Sequence, residues 1–510
     1  MTPDNYIVGI DAGTTSIKGV IINTNGILVA SASKEYTLDT GPNETCELDP
    51  EIYWEITCNV INSLLQKSGT DPANISGIAF SSQGETLITV DYNGNPLRKA
   101  IIWLDNRSIP QAELIRSKFG EQRIMDITGQ PEVLPIWPAT RILWIKENEP
   151  EVFKEASKYL LVEDYLLFRM TGKYCTEHSL VSSTLYFDIS RKKWWKEMLG
   201  FLGISEKQLP ELFQSGVPIG NLTQAAASAT GLTVKTICVT GAYDHPAGAI
   251  GSGNIRKGDV TLTIGASMAM CVAIAKPVSD LSIKLPCQCH AVNGLFFLLP
   301  YGQTAGMVLK WFKDEFCQME IENALKNNQD PFILIDKLAE KVPPGADGLI
   351  MLPHLMGAGS PEFNPKVKGV FAGININMTK GHFIRAIIES ISTMIHHNLV
   401  IMRQKGIPVE VVHVLGGASK SKFWNQVLSD TTGLPLVTLQ NSENAATGAA
   451  LLAGVGTGVF KDLVHACEVS VKAQSRFVPD IKNRKTYDNN YNKYLQLYQS
   501  LENYWENNLA

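Results

Sequence analysis

The chain has 510 residues, which predicts either two large domains or about three of average size. It is 45% apolar and 19% charged, which supplies enough apolar surface for sizeable cores and excludes a mainly disordered chain. The net charge is −5 at pH 7, and the sequence contains no block of five or six Lys and Arg residues, so we expect no nucleic-acid partner.

The cysteine content and the apolar runs bear on the compartment. Nine cysteines scattered over a chain of this length do not form a disulfide framework, so a reducing cytoplasm is predicted. Residues 1–4 do not begin the charged and then apolar pattern of a signal peptide. The longest apolar runs, 264–275 and 295–300, are too short to span a membrane. We therefore expect a cytoplasmic protein without a membrane role.

The first predicted elements are strands joined by turns of small residues. Apolar residues 6–10 and 19–22 flank the turn 11–18, and a second turn at 23–26 leads into a strand at 27–31. Helical spacing follows at 51–65.

Strands and helices then alternate. Strands are predicted at 75–81 and 86–91, and the stretch 110–192 alternates helical patterns with turn signals. A short buried strand is predicted at 237–241, where it ends in a glycine-rich turn.

Residues 258–275 repeat the pattern found at 6–22, with a small-residue turn between two apolar strands. Two such hairpins predict two domains of similar plan, which we place at residues 1–247 and 248–480. Residues 481–510 are expected to form a peripheral C-terminal helix, because four tyrosines recur there at helical spacing.

Three motifs have residue types suited to chemistry. In the first, Asp11 to Lys18, small residues and hydroxyl groups let a phosphate chain approach the backbone, and Asp11 suits a hydrated Mg²⁺. An ordinary hairpin turn explains the same pattern.

The second motif is Thr240 to Ala249, which follows the buried strand. Asp244 stands there among glycines and alanines, with room to act as a general base on a substrate. The alternative is that Asp244 is the N-cap of a helix.

The third motif is Leu415 to Ser421, a Gly-Gly turn between a strand and a helix. It suits the close approach of a nucleotide to helix N–H groups, although a tight left-handed turn explains it equally well. A small-residue helix at 444–450 is expected to pack beneath this turn. No P-loop occurs, the glycines at 454–458 follow a helix rather than a strand, and Cys287, Cys289 and His290 lack the second ligand pair of a zinc site.

In their order and spacing, these motifs resemble the FGGY family of carbohydrate kinases, members of the actin-like ATPase superfamily. Trp103 to Arg107 resembles the family's Trp-x-Asp-x-Arg segment, and the stretch 369–389 resembles its C-terminal signature. The resemblance implies an α/β fold of two actin-like (ribonuclease H-like) domains with a catalytic cleft between them.

Two segments depart from the family's usual pattern. Arg141 stands where the family usually has Lys, and Arg differs from Lys in offering a planar fork of donors. The segment 81–86 matches neither typical xylulokinases nor glycerol kinases, whereas 162–172 is close to the xylulokinase pattern.

The resemblance implies ATP-dependent phosphorylation of a hydroxyl group of a small sugar or polyol, with Mg²⁺. A ketopentose such as xylulose is our first choice of substrate, and ribulose, glycerol, erythritol and gluconate are the alternatives. The family also suggests a homodimer. Two other classes are a non-catalytic sugar sensor and an actin-like chaperone or filament. Asp11 and Asp244 argue against the first, and the Trp103 segment argues against the second.

The resemblance also implies individual roles. Asp244 is expected to act as the general base in contact with the substrate, and Asp11 to hold Mg²⁺. The residues expected at the nucleotide are Thr14, Thr15, Lys18, Gly265, Ala266, Gly417, Ala418 and Ser421. Those expected at the sugar are Gln83, Glu85, Trp103, Asp105 and Arg107. Alternatively, Trp103 is a core residue, and Asp105 pairs with Arg107.

Overall fold

The computed structural model describes residues 5–508, without the side chains of Asn43 and Asn508. The expectation about a signal peptide rests on residues 1–4, which lie outside this part of the chain. Two mixed β-sheets organise the fold, one built from the N-terminal half and one from the C-terminal half.

The N-terminal half alternates short strands and helices. Its strands are β1 (Tyr6–Ala12), β2 (Ser16–Asn23), β3 (Leu28–Glu35), β4 (Asp39–Thr40), β5 (Cys46–Leu48), β6 (Ile75–Ser82), β7 (Ile88–Val90), β8 (Ala100–Ile101), β9 (Lys158–Leu160), β10 (Cys175–Glu177), β11 (Phe187–Asp188), β12 (Lys193–Trp194), β13 (Glu211–Phe213), β14 (Pro218–Asn221) and β15 (Ile237–Tyr243). Its helices are α1 (Pro50–Ser68), α2 (Ile109–Phe119), α3 (Glu121–Thr128), α4 (Pro138–Asn148), α5 (Pro150–Glu155), α6 (Val162–Thr171), α7 (His178–Val181), α8 (Lys196–Leu202), α9 (Gln224–Thr230) and α10 (Asp244–Gly251).

The C-terminal half is also built from short strands and helices. Its strands are β16 (Asp259–Ile264), β17 (Met268–Ile274), β18 (Cys287–Cys289), β19 (Phe296–Leu298), β20 (Tyr301–Gly302), β21 (Ile350–Leu352), β22 (Val370–Ala372), β23 (Val411–Leu415), β24 (Leu436–Leu439) and β25 (Ala473–Phe477). Its helices are α11 (Gly306–Phe316), α12 (Gln318–Lys326), α13 (Pro331–Glu340), α14 (Lys380–Gln404), α15 (Lys422–Thr432), α16 (Asn444–Gly456), α17 (Leu463–Ser470) and α18 (Arg484–Asn508).

The two main sheets share one plan. The first has the order β14–β15–β6–β1–β2–β3, and the second contains the run β19–β17–β16–β23–β24. In each, three antiparallel strands are extended by two parallel ones, β6 and β15 in the first sheet and β23 and β24 in the second. The two predicted hairpins, β1–β2 and β16–β17, are therefore confirmed as equivalent elements.

Helix α16 belongs to the C-terminal half of the chain but packs against the N-terminal sheet. A Cβ atom added to Gly9 of β1 would lie 2.0 Å from the Ala446 carbonyl oxygen. A Cβ on Gly448 would lie 1.9 Å from the carbonyl oxygen of Ala247 in α10. The expectation that 444–450 lies beneath the turn at 415–421 is wrong, because its small residues serve this close packing on β1 and α10.

The predicted domain boundary and the predicted C-terminal helix fall on different kinds of structure. The boundary after residue 247 falls within α10, while the main sheets change between β15 and β16. Helix α18 buries Tyr487, Tyr494, Tyr498 and Trp505 against the C-terminal half. Within residues 5–508, no helix combines the length and the apolar character needed to cross a bilayer.

Candidate active site

The site begins where three neighbouring parallel strands end at one edge of the N-terminal sheet. Asp11 of β1 lies opposite Ser81 of β6, and Ser82 lies opposite Tyr243, the last residue of β15. The carboxyl ends of parallel strands are the usual place for ligands in α/β sheets. Asp11, the loop after Ser82, and Asp244 therefore meet at this edge.

Asp244 is the first residue of α10, and Tyr243 occupies the N-cap position. The Asp244 side chain is 35% exposed, yet its Oδ1 atom is buried and has no hydrogen-bond partner among the described residues. The nearest imidazole nitrogen, Nε2 of His245, is 3.9 Å from Oδ1. Burial raises the pKa of this carboxyl. The geometry therefore favours a free acceptor at Asp244 over the N-cap alternative.

A bulge in β15 aims Asp244 toward the cleft. The pairing of β15 with β6 shifts register between Val239 and Ala242, so the Gly241 N–H leaves the ladder and donates to Glu163 Oε1 at 2.8 Å. A Cβ on Gly241 would lie 1.6 Å from the Phe80 carbonyl oxygen, which explains the glycine. Sequence reasoning did not assign a role to Glu163, although the segment 162–172 was singled out.

Asp11 lies close to Asp244 in a shielded position. The Ser81 hydroxyl donates to Asp11 Oδ1 at 3.0 Å. Burial, together with the negative charge of Asp244, raises the Asp11 pKa to about 7. Two carboxyls that resist ionising together attract a divalent cation, which relieves their repulsion. The carboxylate oxygens of Asp11 and Asp244 are the type of ligand that Mg²⁺ prefers.

The β1–β2 turn lies beside these carboxyls. The indole Nε1–H of Trp103 donates to Thr14 Oγ1 at 2.9 Å, and the Tyr36 hydroxyl donates to the Gly13 carbonyl oxygen. Thr15 points to solvent, and Lys18 Nζ is 3.3 Å from Glu443 Oε2, just before α16. Thr14 therefore faces the cleft, whereas Lys18 forms an ion pair that links the two halves of the chain.

A cavity of about 430 Å³, here called the central cavity, opens beside Asp244 between the two halves. Of the predicted residues, it brings together Thr14, Gln83, Glu85, Trp103 and Asp244. The sequence analysis missed several polar side chains of its wall, among them Gln130, Tyr243, His245, Gln288 and Gln303. Tyr243 and His245 flank Asp244 in the motif 240–249, whereas Gln130, Gln288 and Gln303 lie in separate segments that no shared spacing connects.

Glu85 adopts a strained backbone in this wall. Its φ of 57° lies in the left-handed region, which a non-glycine residue rarely adopts. Burial, with the charge of Asp244 second, raises the Glu85 pKa to about 8. Arg141 supports the loop from below, since its guanidinium donates to the carbonyl oxygens of Glu85 at 2.6 Å and Ile102 at 2.7 Å.

Asp105 and Arg107 lie outside the central cavity wall. Arg107 Nε donates to Asp105 Oδ1 at 2.8 Å, and Asp105 Oδ2 accepts from the Cys46 N–H at 2.6 Å. Arg107 also forms an ion pair with Glu47 at 2.8 Å. This geometry favours the alternative that Asp105 pairs with Arg107, and direct contact of these two residues with the sugar stays a prediction.

A second cavity of about 420 Å³, the outer cavity, lies in the C-terminal half. The predicted residues on its wall are Gly265, Ala266, Gly417, Ala418 and Ser421, and the missed ones include Asp336, Phe332, Ile333 and Trp424. Ser421 caps α15 by accepting from the Trp424 N–H at 2.9 Å, and its hydroxyl donates to Asp336 at 2.6 Å.

The β16–β17 turn separates the two cavities. Gly265 and Ala266 border the outer cavity, and Ser267 borders the central one. The Gly306 N–H, at the start of α11, donates to the Gly265 carbonyl oxygen at 2.9 Å, which fixes the turn. The turn therefore lies between the outer cavity and the central cavity, whose wall contains Asp244.

Two repeated α/β domains, with a carboxylate in the wall of the cavity between them, define a phosphotransferase of the actin-like type. Comparison with known proteins gives the family. Residues 6–251 match the N-terminal domain of the FGGY family of carbohydrate kinases, and residues 261–457 match its C-terminal domain. The chain belongs to the FGGY family of carbohydrate kinases.

Individual relatives agree with this membership. A xylulose kinase from Bacillus subtilis strain 168 is 32% identical over 97% of this chain and 96% of the relative. A gluconokinase from the same organism is 31% identical over 98% of this chain and 96% of the relative. The crystal structure of ligand-bound xylulose kinase from Lactobacillus acidophilus superposes with a TM-score of 0.88, at 27% identity and 98% coverage of both chains.

The predicted fold class, two actin-like α/β domains, and the predicted enzyme class are therefore confirmed. The protein is a carbohydrate kinase that catalyses ATP-dependent phosphorylation of a small sugar or polyol.

Proposed function

We propose that this kinase phosphorylates a hydroxyl group of a ketopentose, xylulose before others, with Asp244 as the general base. The observation that carries the assignment of the base is the Asp244 carboxylate in the wall of the central cavity, where its Oδ1 atom has no hydrogen-bond partner among the described residues. The choice of xylulose is supported by the Bacillus subtilis relative, which is named as a xylulose kinase and matches nearly the whole chain.

The Asp244 carboxylate takes the proton of the sugar hydroxyl as its oxygen attacks the γ-phosphorus of ATP. A base with a raised pKa is well matched to this transfer, because it binds the proton more firmly than an ordinary carboxylate. Phosphoryl transfer depends mostly on positioning and charge stabilisation. The bulge at Gly241, fixed by Glu163, supplies the positioning of this side chain.

Asp11 is our candidate for holding Mg²⁺. The described residues contain no cluster of three or more His, Cys, Asp or Glu side chains that would hold a metal on their own. Asp11 with Asp244 nearby fits an ion that keeps most of its ligands as water and phosphate oxygens. When bound, Mg²⁺ neutralises charge on the phosphate chain.

The remaining predicted residues take roles according to their places. Thr14 lies in the wall of the central cavity, and we propose Gln83, Glu85 and Trp103 in the same wall as sugar contacts. The nucleotide occupies the outer cavity, against Gly265, Ala266, Gly417, Ala418 and Ser421. Asp105 and Arg107 position the segment that carries Trp103. Thr15 and Lys18 lie next to the phosphate path and remain predictions.

The state of the cysteines bears on the compartment in which the enzyme works. All nine cysteines are free in the structure, and eight of them are buried. Because oxidising compartments favour disulfides, we propose that the enzyme works in the cytoplasm.

Release of ADP with MgATP tests the substrate. The panel contains D-xylulose, D-ribulose, L-ribulose, sedoheptulose, erythritol, glycerol and gluconate. We expect D-xylulose to give the highest kcat/KM. A higher value with another sugar would replace xylulose as the substrate, and a panel without any sugar-dependent ADP release would contradict the kinase reaction.

A further inference from the structure

The C-terminal helix α18 lies outside both cavities but is firmly attached to the C-terminal half. The described residues of α18 line neither the central nor the outer cavity. The helix also follows residue 457, where the match to the family's C-terminal domain ends. Even so, it buries three tyrosines and Trp505. These side chains fix α18 to a part of the molecule that the helix can in turn hold in place.

The part that α18 holds is the segment 353–367, here called the wall loop. The hydroxyl group of Tyr494 and Nε2 of His354, at the start of the loop, form a hydrogen bond of 2.8 Å. At the end of the loop, Val367 belongs to one buried apolar cluster with Tyr494 and Trp505. The helix therefore contacts the wall loop at both ends.

A further connection reaches the middle of the wall loop through α14. The hydroxyl group of Tyr491 and Nδ1 of His397 form a hydrogen bond of 2.8 Å. Nε2 of the same imidazole lies 3.3 Å from Oε1 of Glu362 in the wall loop. Because Nε2 faces a carboxylate, the tautomer with its proton on Nε2 is favoured, and Nδ1 then accepts from Tyr491. This connection ends beside Phe363, the residue after Glu362.

The opposite side of the wall loop faces the central cavity. Phe363 lies in the cavity wall, and its ring packs edge to face against Tyr301, with the ring centroids 5.4 Å apart. The Ser360 N–H donates to the Tyr301 carbonyl oxygen at 2.7 Å, and the Tyr301 N–H donates to Ser360 Oγ at 3.0 Å. Tyr301 and Gly302, which form β20, line the same cavity. The wall loop therefore lies between α18 and the wall of the central cavity.

The backbone at Phe363 depends on support from both sides. Its φ of 49° lies in the left-handed region, which an aromatic residue adopts at a cost in free energy. Such a conformation persists only where the surrounding structure fixes it. The contacts that fix it come from β20 on one side of the loop and from α18 on the other.

We propose that α18 positions the C-terminal wall of the sugar site, with Tyr494 and Tyr491 as its positioning residues. They hold the wall loop against β20 and so keep Phe363 in the wall of the central cavity. Without these contacts the loop adopts other conformations, and sugar binding must first order it, which lowers the affinity for sugar. The described residues of the wall loop all lie outside the outer cavity, so the affinity for MgATP should not change. This inference rests on the proposed function, which places the sugar in the central cavity.

The test compares two tyrosines of α18 that lose the same hydroxyl group. Tyr494→Phe removes the hydrogen bond to His354 in the wall loop. Tyr487→Phe is the matched control, because Tyr487 is equally buried but its hydroxyl contacts Arg385 and Glu389 of α14 instead. Both variants lose a buried hydrogen bond of α18, and only the first loses one to the wall loop.

The first readout is affinity. In Tyr494→Phe we expect the KM for the best sugar of the panel to rise by about three- to tenfold, the equivalent of one hydrogen bond. The dissociation constant of that sugar, measured by titration calorimetry without nucleotide, should rise by the same factor. The KM for MgATP should stay within about twofold, and Tyr487→Phe should leave both KM values within about twofold. Urea unfolding should show a similar loss of stability in both variants.

The second readout does not depend on turnover or on sugar. Hydrogen exchange of peptides from 353–367, relative to peptides from the N-terminal sheet, should be faster in Tyr494→Phe and unchanged in Tyr487→Phe. Tyr491→Phe, at a site that is only partly buried, should give the same two results as Tyr494→Phe. It replaces Tyr494→Phe in both measurements if that variant does not fold.

The outcomes separate this inference from the proposed function. An unchanged sugar KM in folded Tyr494→Phe, or an equal rise in Tyr487→Phe, overturns the positioning role of α18 and leaves the kinase reaction standing. Faster exchange of the wall loop without a loss of sugar affinity also overturns it, because the loop would then not shape the sugar site. If no sugar releases ADP with the wild type, the proposed function fails, and the sugar dissociation constants with the exchange rates decide the inference by themselves.

Discussion

Replacing Glu163 tests how the catalytic carboxylate is positioned. Glu163 lies on α6, outside both cavities, and accepts the Gly241 N–H at 2.8 Å three residues before Asp244. Glu163→Ala removes this acceptor and leaves a buried N–H group in the bulge without its partner. Glu163→Gln keeps an oxygen at the same place.

The magnitude follows from the contact. An unsatisfied buried N–H costs about 1–3 kcal/mol, and we expect the end of β15 to move to avoid it. A displacement of about 1 Å at a reacting group costs on the order of 10²-fold in rate. Burial raises the pKa of Glu163 well above its usual range and therefore favours the uncharged acid. Glutamine mimics that form, and Glu163→Gln should keep most of the activity.

The assay measures kcat per folded molecule, with the folded fraction taken from urea unfolding. Glu163→Ala should lower kcat by about 10²-fold, whereas Glu163→Gln should keep most of the wild-type kcat. Leu167→Ala on the same helix is the control, because it removes a fully buried core side chain and leaves the hydrogen bond between Glu163 and Gly241 in place. It should lower the unfolding free energy by about 2–5 kcal/mol and leave kcat unchanged. An unaltered kcat in folded Glu163→Ala protein would refute the reasoning.

Three further changes test other parts of the structure. Arg141→Lys replaces a guanidinium that donates to four carbonyl oxygens with an ammonium that has three donors. Urea unfolding should therefore show a loss of about 1–3 kcal/mol in the free energy of unfolding. An unchanged free energy would contradict the role of the guanidinium. The folded pKa of Glu85 is about 8 against 4.5 for the ordinary group, so the ligand-free wild type should lose unfolding free energy as the pH rises from about 5 to above 8. Glu85→Gln should lose less over this range, and equal slopes would show that Glu85 does not titrate as described. Trp505→Ala empties a buried site on α18 and should cost about 3–5 kcal/mol, whereas an unaffected melting curve would mean that α18 contributes little to stability.

The sequence predicted those parts of the fold that local patterns specify. Small-residue turns between apolar runs identified β1–β2 and β16–β17, and the buried run at 237–241 located the strand that ends before Asp244. Such features depend on neighbours in the chain, so turn chemistry and apolar periodicity reveal them.

Contacts between distant segments were not predictable in the same way. The small residues of α16 signalled close packing but not the partner, which proved to be β1 and α10 rather than the turn at 415–421. Asp105 and Arg107 had the residue types of a sugar contact, yet they pair with each other. Gln130 and Gln288 reach the central cavity only through tertiary folding, which no spacing records.

The most direct test of the account is the turnover of Asp244→Asn with MgATP and the best sugar of the panel. Asparagine keeps the shape of the side chain, and Oδ1 of Asp244 has no partner to lose within the described residues, so the variant should fold and bind sugar as the wild type does. We predict that kcat falls by about 10²–10⁴-fold while the sugar dissociation constant stays within a few-fold. An undiminished kcat would show that another group takes the proton and would contradict the assignment of the base.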